Sequence, residues 1–129
     1  MVKENLRILV VDDEKDYCEV LKMILENNGY VVETCFNGKE ALDILEERSF
    51  DVVVSDLSMP VMDGFEASRA IRALDRPDAA TVPILAMTAQ ASDECAQSCH
   101  QVGMNGRLVK PLDAKKLAKS IREAVQNKQ

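Results

Sequence analysis

The chain has no tryptophan, and its 129 residues include only five glycines, four prolines, four cysteines and one histidine. So little glycine and proline excludes a collagen-like or low-complexity chain. The cysteines, Cys18, Cys35, Cys95 and Cys99, are too few and too irregularly spaced to frame a small secreted domain, so reduced thiols are expected. Cys95 and Cys99 stand one helical turn apart with His100 beside them, but a tetrahedral zinc site needs four ligands and no second cluster supplies the rest. They are expected as small apolar side chains on the core face of a helix, with His100 exposed. No apolar run approaches the length of about 20 residues that spans a bilayer, and MVKENLRILVVDDE lacks the apolar stretch and small-residue cleavage site of a signal peptide. A cytoplasmic chain is therefore expected. Sixteen basic residues stand against 22 acidic ones, a net charge of -6. The bases gather into no run or stripe, which argues against direct binding to nucleic acid or to an acidic membrane.

What is present is a regular alternation. With 47% hydrophobic residues the chain can bury a real core, and its length suits one domain over residues 1–129. Ile8 to Val11, Val52 to Val54 and Ile84 to Met87 are continuous apolar runs, the pattern of strands buried on both faces of a parallel sheet. Val31 to Cys35 and Leu108 to Val109 are weaker, as edge strands would be. Between them, Tyr17, Val20, Leu21, Ile24 and Leu25 recur at helical spacing, as do Leu117, Ile121, Ala124 and Val125, and these are read as core faces. Asn28 and Gly29 close the first helix, and Asp63 with Glu66 opens the third in capping-box style. The segment around Arg76 and Pro77 reads as a surface loop. Five strands and five helices in strict alternation predict an α/β, doubly wound, five-stranded parallel sheet, for which 2-1-3-4-5 is a common order.

In such a sheet ligands bind beyond the carboxyl ends of the strands, where the order reverses. Asp12 and Asp13 follow the first strand and Asp56 ends the third. Either aspartate of the first pair alone could simply cap a helix. Three carboxylates converging in one crevice repel, so a pKa rises or a cation neutralises them. Oxygen ligation by carboxylates, waters and a phosphoryl oxygen is the habit of Mg²⁺. Thr88 after the fourth strand offers a hydroxyl, and Lys110 after the fifth an ammonium. An aspartate with a reference pKa of about 3.9 is already ionised near neutrality, so Asp56 could attack phosphorus without a general base. Mg²⁺, Thr88 and Lys110 would each hold one equatorial oxygen of the transferring group. A cis bond at Pro111 would aim Lys110 inward, although only roughly one X-Pro bond in twenty is cis. Pro60 and Gly64 bracket the loop that leaves Asp56.

LRILVVDDE, VVVSDLSMPVMDGFE, PILAMTA and GMNGRLVKPL together resemble the receiver domain family of response regulators and hybrid sensor kinases, in order and spacing, over essentially the whole chain. The wording of the last motifs is most similar to receivers fused to hybrid sensor histidine kinases. The resemblance implies a flavodoxin-like (βα)5 fold and a phosphoacceptor at Asp56. It implies Mg²⁺ held by Asp12, Asp13, Asp56 and the Ser58 backbone carbonyl, Thr88 as switch hydroxyl, and Lys110 as phosphoryl partner beside a cis Pro111. It also implies a phosphohistidine donor on a sensor histidine kinase or a histidine phosphotransfer domain, with self-directed chemistry in place of enzymatic turnover. Ser58 and Gln90, two residues beyond Asp56 and Thr88, are expected to flank the water that hydrolyses the acyl phosphate. Arg107 stands where receivers usually carry an aromatic switch residue. It is expected to point outward, within reach of Asp93 and Glu94, as an electrostatic contact for an acidic partner. Two rival functions share this fold: an interaction module acting without phosphorylation, and a metal-dependent phosphatase. A flavin or nucleotide module is disfavoured, because no GxGxxG or GxxxxGK[ST] occurs.

Overall fold

A computed structural model of the chain describes residues 6–57, 64–74, 81–89, 93–110 and 112–127, excepting the side chains of 93–96 and 127. Ser58, Pro60, Asp63, Gln90, Pro111, the loop around Arg76 and Pro77, and the side chains of Asp93, Glu94 and Cys95 lie outside the described residues.

The elements are β1 (Arg7–Val11), α1 (Lys15–Asn27), β2 (Val31–Cys35), α2 (Gly38–Glu47), β3 (Val52–Asp56), α3 (Gly64–Arg72), β4 (Ile84–Thr88), α4 (Asp93–Gln101), β5 (Gly106–Val109) and α5 (Ala114–Asn127). All strand pairs are parallel, and the sheet order is β2-β1-β3-β4-β5, as the alternation predicted. Strand β3 continues two residues past its apolar run, through Ser55 to Asp56, because pairing with Ala86 and Met87 of β4 extends that far. Polar strand ends are thereby carried to the rim of the sheet.

Side-chain alternation along the strands divides the core into two layers. Ile8, Val10, Val52, Val54, Met87 and Leu108 face α1 and α5, where Cys18, Leu21, Leu25, Leu117 and Ile121 meet them. Leu9, Val11, Val53, Ile84 and Ala86 face the other way, against Ala41, Leu45, Ile71 and Cys99. Leu21 and Ile121 are almost wholly buried, so truncation of either to alanine costs about 2–5 kcal/mol. One expectation fails on α1. Val20 is 45% exposed while Cys18 is buried, because the helix turns its Cys18, Leu21 and Leu25 stripe to the sheet and leaves Val20 on the solvent side. Tyr17 is only partly buried, at the edge of that layer.

Helix ends follow local chemistry. Gly29 and Gly103 both adopt φ 88, the left-handed conformation that costs glycine least. Each donates to the carbonyl three residues back, while the residue after it donates five back, Tyr30 to Leu25 and Met104 to Cys99, which satisfies the last turns of α1 and α4. The start of α2 was not singled out in the sequence, although its signal is there. Asn37 Oδ1 accepts from Glu40 N at 2.9 Å, and Glu40 Oε1 accepts from Phe36 N at 2.8 Å.

Candidate functional site

The carboxyl ends of β1, β3, β4 and β5 surround one open cleft lined by Asp13, Glu14, Asp56, Leu57, Thr88, Ala89 and Lys110. Backbone pairing sets its floor. Asp12 N donates to Cys35 O at 3.1 Å, and Lys110 N donates to Thr88 O at 2.8 Å. Each of these residues is thus held one step beyond its strand by the neighbouring one.

Asp12 is fully buried, a position a carboxylate tolerates only when its oxygens are occupied. Its Oδ1 accepts from Glu14 N at 2.9 Å, and its Oδ2 accepts from Lys110 Nζ at 3.0 Å. The same ammonium lies 3.6 Å from Asp56 Oδ1. Asp56 is 7% exposed at the end of β3, Asp13 is exposed, and the three aspartates offer carboxylate oxygens within 4.8 Å of one another. Three negative charges against one ammonium leave the cleft strongly anionic. An all-oxygen set with an exposed side fits a small divalent cation that keeps part of its water shell, as Mg²⁺ does.

Burial by itself would lower the pKa of Lys110. Its hydrogen bond to Asp12 and the charges of Asp12, Asp56 and Glu14 outweigh that burial and hold the ammonium above its ordinary value. The lysine is therefore a fixed positive charge at neutral pH. Thr88, 7% exposed, borders the same cleft from β4. Among the expected site residues, Asp12, Asp13, Asp56, Thr88 and Lys110 are thus brought together. Ser58, Gln90 and Pro111 lie outside the described residues.

Three further residues shape the cleft, of which Glu14 and Tyr17 were not assigned to it by sequence and Gly64 was read only as the end of the loop that leaves Asp56. Glu14 adds a wall carboxylate. Gly64 presses the start of α3 onto the end of β3: a Cβ there would lie 2.5 Å from Asp56 O and 2.9 Å from Leu57 Cα. Tyr17, read as a core residue, places its ring 4.8 Å from Lys110 Nζ. Only the folded path of the chain could reveal those proximities; the glycine before Phe65 was the one visible hint.

Arg107 is half-buried on β5 and borders open grooves along the α5 side with Ser120 and Glu123; the side chains of Asp93 and Glu94, its expected neighbours, lie outside the described residues. An edge strand flanked by a helix shelters the arginine stem even when the charged end reaches water. The buried Cys99 and the exposed His100 are as expected.

The family model described as the response regulator receiver domain matches residues 8–122. The transcriptional regulatory protein ZraR of Escherichia coli O157:H7 is 37% identical over 125 residues, which are 97% of this chain and 27% of ZraR. The chain thus spans about a quarter of that relative's length. Among solved structures, the chemotaxis response regulator CheY4 of Vibrio cholerae superposes with a TM-score of 0.87 at 37% identity, covering 92% of this chain and 98% of that one. The receiver domain of the sensor histidine kinase PA1611 from Pseudomonas aeruginosa PAO1, with magnesium coordinated in its active-site cleft, superposes with a TM-score of 0.86 at 32% identity, covering 95% and 98%.

Proposed function

The chain belongs to the response regulator receiver domain family, and from that premise we propose that it takes a phosphoryl group from a phosphohistidine onto the carboxylate of Asp56. The convergence of Asp12, Asp13 and Asp56 oxygens within 4.8 Å, with Lys110 Nζ 3.0 Å from Asp12 and 3.6 Å from Asp56, carries the proposal. Asp13, Asp56, Asp12 and the Ser58 carbonyl would hold Mg²⁺. Bound there, the cation neutralises charge on the carboxylates and on the phosphoryl oxygens.

An ionised Asp56 oxygen forms the new P–O bond as the P–N bond of the donor breaks, and the electron pair leaves with the imidazole nitrogen. No general base is invoked, because a carboxylate is itself the nucleophile. Lys110 exchanges part of its contact with Asp12 for a phosphoryl oxygen, and the Thr88 hydroxyl donates to another. The charge that builds on the equatorial oxygens thus meets donors already in place. Ser58 and Gln90, two residues beyond Asp56 and Thr88 in sequence, are assigned the lifetime of the acyl phosphate, as residues that steer water without acting as bases.

The chemistry is self-directed and runs once per phosphoryl group. Its output is altered partner binding, with a sensor histidine kinase or histidine phosphotransfer domain as donor. Arg107 supplies an electrostatic contact for such a partner where an aromatic would otherwise switch. Residues 1–129 form a single receiver domain and act in the cytoplasm. Among the described residues, no helix is long and apolar enough to cross a membrane.

Acetyl phosphate with Mg²⁺ should add one phosphoryl group by intact mass, removable by hydroxylamine, and Asp56→Asn should abolish the gain. A gain retained in the Asn variant would place the acceptor elsewhere.

A further inference from the structure

Tyr17 makes two contacts that bear on the proposed chemistry. Its ring stands 4.8 Å from Lys110 Nζ, and its hydroxyl oxygen accepts from Leu112 N at 3.2 Å. A lysine ammonium is a compact charge on a flexible four-carbon stem, and nothing in its own bonding fixes where it points. Here three groups lie against it. Asp12 Oδ2 lies at 3.0 Å, Asp56 Oδ1 at 3.6 Å, and the face of Tyr17 with its centroid at 4.8 Å. The start of α1 that carries Tyr17 also fixes Asp12, because Glu14 N donates to Asp12 Oδ1 at 2.9 Å and Cys18 Sγ donates to Asp12 O at 3.2 Å. One helical turn thereby positions both partners of the buried ion pair.

We propose that Tyr17 is a positioning residue for phosphoryl transfer, its ring confining the Lys110 ammonium over the Asp56 carboxylate while its hydroxyl ties down the chain just beyond Lys110. The proposal rests on the assignment of Asp56 and Lys110 to that chemistry. The attraction of an ammonium to a ring face depends weakly on direction, unlike a hydrogen bond. The ring therefore permits Lys110 to slide from Asp12 toward a phosphoryl oxygen while still keeping it out of bulk water. A second carboxylate in the ring's place would instead compete for the ammonium during that shift.

Phosphoryl uptake from acetyl phosphate is measured over a range of donor and Mg²⁺ concentrations for the wild type, Tyr17→Phe and Tyr17→Leu. The Leu variant should lower the saturating rate about fivefold, the scale of one partly desolvated cation–π contact, with an unchanged half-saturating Mg²⁺ concentration. The Phe variant keeps the ring and should stay within about twofold of the wild type. It should, however, speed exchange of the Leu112 amide. In proton NMR the Lys110 Cε protons should lie upfield in the wild type and the Phe variant and return to their ordinary position in the Leu variant. That measurement needs no phosphoryl transfer. A wild type that takes up no phosphoryl group would sink the assignment of Asp56 while leaving the hold of the ring on Lys110 to be judged by the spectrum. Tyr17→Met replaces the Leu variant if the latter does not fold. Uptake at the wild-type rate in a folded ringless variant, an equal slowing in Tyr17→Phe, or Lys110 protons unmoved across the series would each overturn the proposal.

Discussion

Replacing Gly64 with alanine adds one methyl group where the structure has no room for it. The new Cβ would lie 2.5 Å from Asp56 O and 2.9 Å from Leu57 Cα, against the 3.4 Å at which ordinary contact begins. Relief requires a displacement of about 0.9 Å from the oxygen, the difference between those two distances. Both obstacles are backbone atoms of the strand end that carries the acceptor, so no side-chain rotation absorbs the shift. Overpacking of this kind costs about 1–3 kcal/mol, and alanine's smaller unfolded-state entropy returns about 0.4–1 kcal/mol. The net loss is about 1–2 kcal/mol, or roughly 4–8 °C in melting temperature at this chain length. Function should suffer more than stability. A misplacement of about 1 Å at a reacting group can cost on the order of a hundredfold in rate. Thermal melts and the rate of phosphoryl uptake from acetyl phosphate, both at saturating Mg²⁺, measure the two effects. A Gly64→Ala protein that melts and phosphorylates like the wild type would refute the claim that this contact sets the position of Asp56.

Arg72 donates from Nε and Nη2 to Gly103 O at 3.1 and 2.6 Å, and from Nη2 to Asn105 Oδ1 at 2.9 Å, tying α3 to the loop before β5; Arg72→Met should cost on the order of 2 kcal/mol. An unchanged urea midpoint would mean that water replaces those bonds without loss. Burial first, then the charge of Asp12, raises the Cys18 thiol from 9.0 to about 11, and burial first, then the charge of Glu40, raises Cys35 to about 12. Both hold their protons more tightly when folded, so their contribution is complete below about pH 9 and is lost as pH climbs toward 11 and 12. The urea midpoint should therefore fall more steeply above pH 9 in the wild type than in a Cys18→Ala, Cys35→Ala protein, by up to about 1.4 kcal/mol per thiol per pH unit; parallel slopes would sink the assignment. Mg²⁺ at about 100 times its dissociation constant should stabilise the wild type by about 2.7 kcal/mol, and Asp13→Ala should remove most of the shift, whereas equal shifts in both proteins would move the metal site away from the acidic cluster.

The sheet and its order were legible in the sequence, because a strand buried on both faces must be apolar at every position and a helix against it must be apolar on one stripe. Those patterns are local, written within a few residues of each other. The aspartates at the ends of β1 and β3, and Thr88 and Lys110 after β4 and β5, were legible for a related reason: in a doubly wound sheet, ending a parallel strand already places the next residue at the crevice. The face of α1 was legible only in part. Tyr17 and Val20 satisfy the helical spacing as well as Cys18 does, and period alone does not say which side of the stripe meets the sheet. The shelter of Arg107 and the steric need for Gly64, both residues visible in the sequence, went further beyond reach. Whether an arginine on an edge strand is sheltered depends on where α5 lies, and whether a glycine is compulsory depends on a 2.5 Å approach to the carbonyl of Asp56. The same holds for the centre of the site. Lys110 and Asp12 stand 98 residues apart and meet at 3.0 Å, and the ring of Tyr17 joins them from a third element. Composition and period constrain which face of an element is apolar; distances between side chains on different elements are set only when all the elements pack against one core, and it is those distances that decide which charge a lysine faces.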